Sequence, residues 1–142
     1  MTRRAFVLLG SATLLALAGC AKDNIGKTVL VRGTVTVGEQ TLPFGTIVFV
    51  PDGAGGNNSR HEPRGKIEAG KYTLFIRPGR EGATPGRYKV AIFSNPDPAL
   101  NNPYAEPTLA IPLRYANAGA SQLTVDITEE ERSYDFHLTS DE

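Results

Sequence analysis

Cysteine is almost absent from this chain: 142 residues hold a single thiol, Cys20. No intramolecular disulfide can staple the fold, and no Cys-x-x-Cys pair exists to grip zinc. Histidine occurs only at positions 61 and 137, so the His-Glu-x-x-His arrangement of a zinc hydrolase is missing as well. Net charge is also lacking, since 15 basic residues balance 15 acidic ones. Such a balance offers no basic field to phosphate backbones, and nucleic acid is set aside as a partner. No apolar run reaches the roughly 20 residues needed to cross a bilayer as a helix.

What is present begins with a leader. Arg3 and Arg4 form a basic head, residues 5–18 are apolar apart from Gly10, Ser11 and Thr13, and Ala18 and Gly19 are the small residues of a signal-peptidase site. Leu17-Ala18-Gly19-Cys20 resembles the lipobox of bacterial lipoproteins. That resemblance implies cleavage between Gly19 and Cys20 and a diacylglyceryl group on the Cys20 sulfur. Each buried methylene contributes about 0.8 kcal/mol, so two or three acyl chains hold a protein on a membrane effectively for good. The segment around Arg3 and Arg4 also resembles the twin-arginine export motif; the general secretory route is the alternative reading of the same basic head. Ala21 stands where the resemblance links an aspartate to inner-membrane retention. The expected location is therefore the cell envelope, at the outer membrane or cell surface or facing the periplasm. Three segments follow: a leader at 1–19, the lipidated cysteine with a polar tether at 20–27, and one domain at 28–139. A seven-residue tether reaches roughly 25 Å at about 3.5 Å per residue.

In the domain the hydrophobic period is two. Val29, Val31, Val35 and Val37 alternate with Arg32, Thr34 and Thr36, and the same pattern returns in "TIVFV", "KYTLFI", "RYKVAIF", "LTVDIT" and "SYDFHL". The short "GKIE" at residues 65–68 adds a further strand by pairing through Ala69-Gly70. With 15 glycines and 10 prolines as punctuation, this predicts an all-β, antiparallel sandwich or barrel, with a sandwich of two small sheets fitting best.

"VRGTVTVGEQTLPFGTIVFVP", "GKYTLFI", "GATPGRYKVAIF", "IPLRYA" and "LTVDITEEERSYDFHL", in that order, resemble the carboxypeptidase-regulatory-like, transthyretin-like domain. They resemble more closely the small bacterial lipoproteins built on it. The resemblance covers nearly all of residues 28–139. It implies a seven-stranded Greek-key β-sandwich, prealbumin-like or Ig-like, with a binding, adhesive or structural role and no chemistry of its own.

Candidate chemistry is sparse. Ser59, His61 and Glu62 share one polar loop, but a nucleophile site needs its base oriented by a third group on a rigid frame. His137 alternates with Phe136 and Leu138 and is expected to face solvent. Asp126 and Glu129, Glu130 and Glu131 are the nearest thing to a calcium ligand set, and they read as a solvated turn. No cofactor or metal is indicated. The connection at residues 95–112 holds five prolines, three asparagines and Tyr104. It is read either as a crossover packed by Leu109 and Ile111 or as a presenting surface. In the second reading Tyr104 stacks, Asn101 and Asn102 hydrogen-bond, and the loop at residues 53–60 joins them against an envelope protein or a glycan. The function expected is a lipid-anchored, non-catalytic binding or structural module, or alternatively a carbohydrate-binding accessory module at the cell surface.

Overall fold

Alternation of apolar and polar residues builds the strands, and the computed structural model describes residues 24–140. The leader, the Gly19–Cys20 junction and Cys20 itself lie outside the described residues. Ten strands are formed: β1 Arg32–Val37, β2 Gln40–Thr41, β3 Phe44–Pro51, β4 Arg64–Glu68, β5 Lys71–Thr73, β6 Phe75–Arg77, β7 Arg80–Glu81, β8 Gly86–Ser94, β9 Thr124–Ile127 and β10 Phe136–Leu138. They make one hydrogen-bonded path in the order β10-β1-β5-β4-β3-β8-β9, with β2 beside β1 and the β6–β7 hairpin beside β4.

The path is strongly curled. Four ladder steps separate β3 from β10, about 19 Å on a flat sheet at about 4.8 Å per step. Yet the Phe49 ring of β3 meets the Phe136 ring of β10 edge-on at 6.0 Å between centroids. Tyr72 and Tyr88 close around Phe49 at 6.4 and 5.9 Å. Val31, Val35, Leu42, Ile47, Val90 and Ile92 are fully buried around these rings, each contributing about 1.5–3 kcal/mol by leaving water.

All strand pairs but one are antiparallel. β1 and β10 run parallel, with Val35 opposite Phe136 and Val37 opposite Leu138, where sequence alternation suggested a purely antiparallel arrangement. The reason is the crossing. β9 ends where β1 begins, so a chain that leaves β9 and passes over the mouth of the curl must run beside β1 in the same direction. Tyr134 pins this corner: its hydroxyl donates to Glu131 O at 3.2 Å and accepts from Thr128 N at 3.1 Å. Its backbone lies on Gly33, where a Cβ would sit 1.8 Å from Tyr134 O.

Two further differences from expectation concern local geometry. "KYTLFI" is divided at Leu74, whose N–H bonds Val31 O at 2.9 Å while its carbonyl accepts from Gly82 N at 2.7 Å; this turns the chain into the β6–β7 hairpin. Residues 24–27 are not a free tether either. Ile25 is buried, Arg80 Nη2 donates to Gly26 O at 3.1 Å, and Lys27 pairs with Glu129 at 2.8 Å. Among the described residues packing therefore starts at Ile25, and five residues from Cys20 to Ile25 span at most roughly 18 Å.

Candidate binding groove

The loop residues singled out by sequence separate into those that hold the loop and those that face solvent. After β8, Asn95 N bonds Phe44 O at 3.0 Å and Asn95 Nδ2 bonds Thr46 Oγ1 at 2.9 Å. Ser94 Oγ bonds Leu109 O, and Leu109 and Ile111 pack on the core. This second half of the 95–112 connection is thus the packed crossover. Its tip is different: Leu100 and Tyr104 are 60 % and 92 % exposed. Asn101 caps a 3-10 turn at Pro98–Leu100 in the left-handed conformation, φ 48°, a role suited to asparagine. Asn102 Oδ1 accepts from Tyr104 N at 3.0 Å. The turn thus uses the Asn101 backbone and the Asn102 side chain, and it leaves the Asn101 amide and the Tyr104 ring free to be presented.

The 53–60 loop does not join that tip. It follows the end of β3, with Asp52 N and Asn57 Nδ2 both donating to Arg87 O at 3.0 and 2.9 Å. The 95–112 loop leaves the other end of the same ladder. Six register steps, from Gly45↔Ser94 to Pro51↔Tyr88, lie between them, about 20 Å at about 3.4 Å per residue. The expected common surface is therefore corrected to two separate ends, because antiparallel pairing of β3 with β8 puts their outgoing loops on opposite sides.

The remaining candidates are placed plainly. Both Ser59–His61 contacts run through the His61 backbone: Ser59 Oγ accepts from His61 N at 3.2 Å and donates to its carbonyl at 3.5 Å. His137 is exposed as expected, with Nδ1 2.7 Å from Thr36 Oγ1. Asp126, Glu129, Glu130 and Glu131 are exposed, and Glu129 is engaged by Lys27. Among the described residues no His, Cys, Asp or Glu cluster could hold a metal ion, and no helix is long and apolar enough to cross a membrane.

A site that sequence reading passed over lies on the outer face of the sheet. Registers Thr46↔Lys66, Arg64↔Phe75, Glu68↔Lys71 and Arg32↔Thr73 lay the outward side chains of five strands on one floor. Residues 60–62 and the β6–β7 hairpin complete the lining of an open groove of about 1270 Å³. Six cations line it, Arg32, Arg60, Arg64, Lys66, Lys71 and Arg77, against three carboxylates, Glu62, Glu68 and Glu81. Arg64 approaches Glu62 at 3.7 Å. Arg32, Arg60, Lys66 and Lys71 have no ion-pair partner among the described residues. Phe75 lies on the floor, 37 % exposed. One signal could have found this place: in "KYTLFI" Tyr72, Leu74 and Ile76 face inward, so Phe75 is an aromatic ring on the wet face. No model of a known protein family matches the chain, and no curated protein and no solved structure matches it either.

Proposed function

We propose that the protein is an exported envelope lipoprotein, anchored through acyl chains on Cys20, whose domain is a non-catalytic binding module of the transthyretin-like, Greek-key sandwich type. Three features support the fold reading. The main hydrogen-bonded path has seven strands, the chain crosses from β9 to β10 over the mouth of the curl, and the Tyr134 hydroxyl bonds upstream backbone as tyrosines at the corners of Greek-key sandwiches do. The Ser59–His61 contacts, both through backbone, favour binding over chemistry.

One observation carries the functional reading: the first packed residues and the exposed tip lie at opposite ends of β8. The first packed residues, Ile25 to Val29, lie beside Ala83 and Glu129 at the start of β8. The exposed tip carrying Leu100 and Tyr104 leaves the other end, about 27 Å away along β8 at about 3.4 Å per residue. A short tether then holds one end near the lipid and turns the proline-rich tip outward. Mass spectrometry of the natural product tests the anchor; Cys20 is expected as the acylated N-terminus, and an unmodified thiol or retained leader overturns it. For the tip, crosslinking in envelope extract is expected to lose its partner in Asn101→Ala/Tyr104→Ala, and retention of every partner refutes presentation by this loop.

A further inference from the structure

We propose that the groove over β3, β4, β5 and β6 binds an acidic polysaccharide, a sugar chain with carboxylates at intervals along it. The inference rests on the envelope reading only for where such a polymer is met.

Charge is the first argument. The full chain is neutral, yet the groove carries six cations and three carboxylates, a local excess of +3. Four of those cations have no ionic partner among the described residues. Gathering unpaired cations on one sheet face costs mutual repulsion, which an anionic ligand relieves; the walls of a groove concentrate the field that attracts it. Shape is the second argument. At about 1270 Å³ the groove exceeds the roughly 300–1,000 Å³ of small-ligand pockets and is open to solvent, with lining residues from five strands. An extended chain fits such a groove better than a single small molecule.

The mixture of groups chooses among polyanions. Phe75, flanked in register by Arg64 and Glu81, offers a flat apolar face to the C–H side of a sugar ring. Thr46, Thr73 and the three carboxylates can bond sugar hydroxyls. To a polyanion with no hydroxyls to give, such as polyglutamate, those same carboxylates offer repulsion and no compensating hydrogen bond. A nucleic acid would ask for several stacking rings and an unbroken basic track, whereas one half-exposed ring stands here among the three carboxylates.

The test uses the full-length protein in detergent, titrated with four probes: polygalacturonate, its fully methyl-esterified form, polyglutamate and oligothymidylate. Polygalacturonate is expected to bind, and to weaken when NaCl rises from about 0.05 to about 0.5 M as screening shortens the field. The ester, identical in backbone but uncharged, is expected not to bind. Lys66→Ala/Lys71→Ala is expected to weaken binding about tenfold and Phe75→Ala about fivefold, while Lys27→Ala, outside the groove, changes nothing. Lys66 and Lys71 are exposed, so the double variant keeps its fold; unchanged melting checks this, and Phe75→Tyr, which keeps the ring, is expected to keep binding. No binding of polygalacturonate, equal binding of the ester, equal or tighter binding of polyglutamate or oligothymidylate, or full binding by the double variant each overturns the proposal. None of these results touches acylation of Cys20, so a failure here is distinct from a failure of the envelope reading.

Discussion

Gly33 is the position where the closing crossover touches the first strand, and Gly33→Ala should damage the fold well beyond the usual cost of one methyl group. A Cβ there would lie 1.8 Å from Tyr134 O, 2.6 Å from its carbonyl carbon and 3.0 Å from Tyr72 Cε1. Ordinary contact begins near 3.4 Å, so β1 and the Tyr134 backbone must part by more than 1 Å. Two hydrogen bonds seat that backbone: Tyr134 N donates to Arg32 O of β1 at 2.9 Å, and Tyr72 Oη of β5 donates to Tyr134 O at 2.6 Å. Overpacking costs about 1–3 kcal/mol, and stranding the buried Tyr72 hydroxyl adds about 1–3 kcal/mol. The lower unfolded-state entropy of alanine returns about 0.4–1 kcal/mol. The net loss is about 3–4 kcal/mol, a fall in Tm of about 12–16 °C for a domain of this size. Calorimetry and urea titration of the purified variant measure it, with Gly26→Ala as the control because nothing lies within 4 Å of a Cβ at Gly26. A loss below about 1 kcal/mol at Gly33 would refute the placement of the crossover against β1.

Three further outcomes follow from local geometry. Ala69 and Gly70 both have positive φ, 49° and 75°, the signature of a type I′ hairpin turn; Ala69→Asn should raise stability by about 0.5–1 kcal/mol in urea, since alanine is strained there. Tyr134→Phe removes the hydroxyl that ties Thr128 N and Glu131 O, at about 1–2 kcal/mol, and hydrogen exchange at the Thr128 amide should accelerate. Burial, with help from the neighbouring Asp135 and Tyr134, pushes the Tyr72 phenol well above its usual range. The unfolded chain ionises that phenol near pH 10 while the folded protein keeps the proton, so stability falls as pH rises above 10, by about 1.4 kcal/mol per unit. Tyr72→Phe abolishes that part of the slope, and equal alkaline slopes for the two proteins would show the phenol to be solvated.

Strands with clean alternation were legible because one face of each is buried and the other is wet. β1, β3, β8 and β9 fall where "VRGTVTV", "TIVFV", "RYKVAIF" and "LTVDIT" place them. Hairpin pairing through Ala69-Gly70 was legible for the same reason, as a tight turn between two alternating runs. The parallel β1–β10 pair was not, because period two reports which face is buried and nothing about the direction of the neighbour. The break at Leu74 was hidden likewise: Tyr72, Leu74 and Ile76 stay buried through it, so the alternation runs on while the hydrogen bonding changes partners.

The candidate surfaces show a sharper limit. Asn101, Asn102 and Tyr104 stand together in sequence and look like one recognition patch, yet the Asn102 side chain is spent on the turn, and the Asn101 amide and the Tyr104 ring are left over. Lys66, Lys71, Arg32 and Arg60 are scattered over 40 positions, the first three on polar alternations that read as an ordinary wet face and Arg60 in a polar loop. Pairing of β4 with β3 and β5, and of β5 with β1, gathers the three on strands, the loop leading into β4 adds Arg60, and a neutral chain acquires a cationic groove. Net charge excluded partners for the molecule as a whole; it could not exclude them for one face, because the field a ligand meets is set by neighbours within a Debye length of about 8–10 Å and not by the sum over the chain.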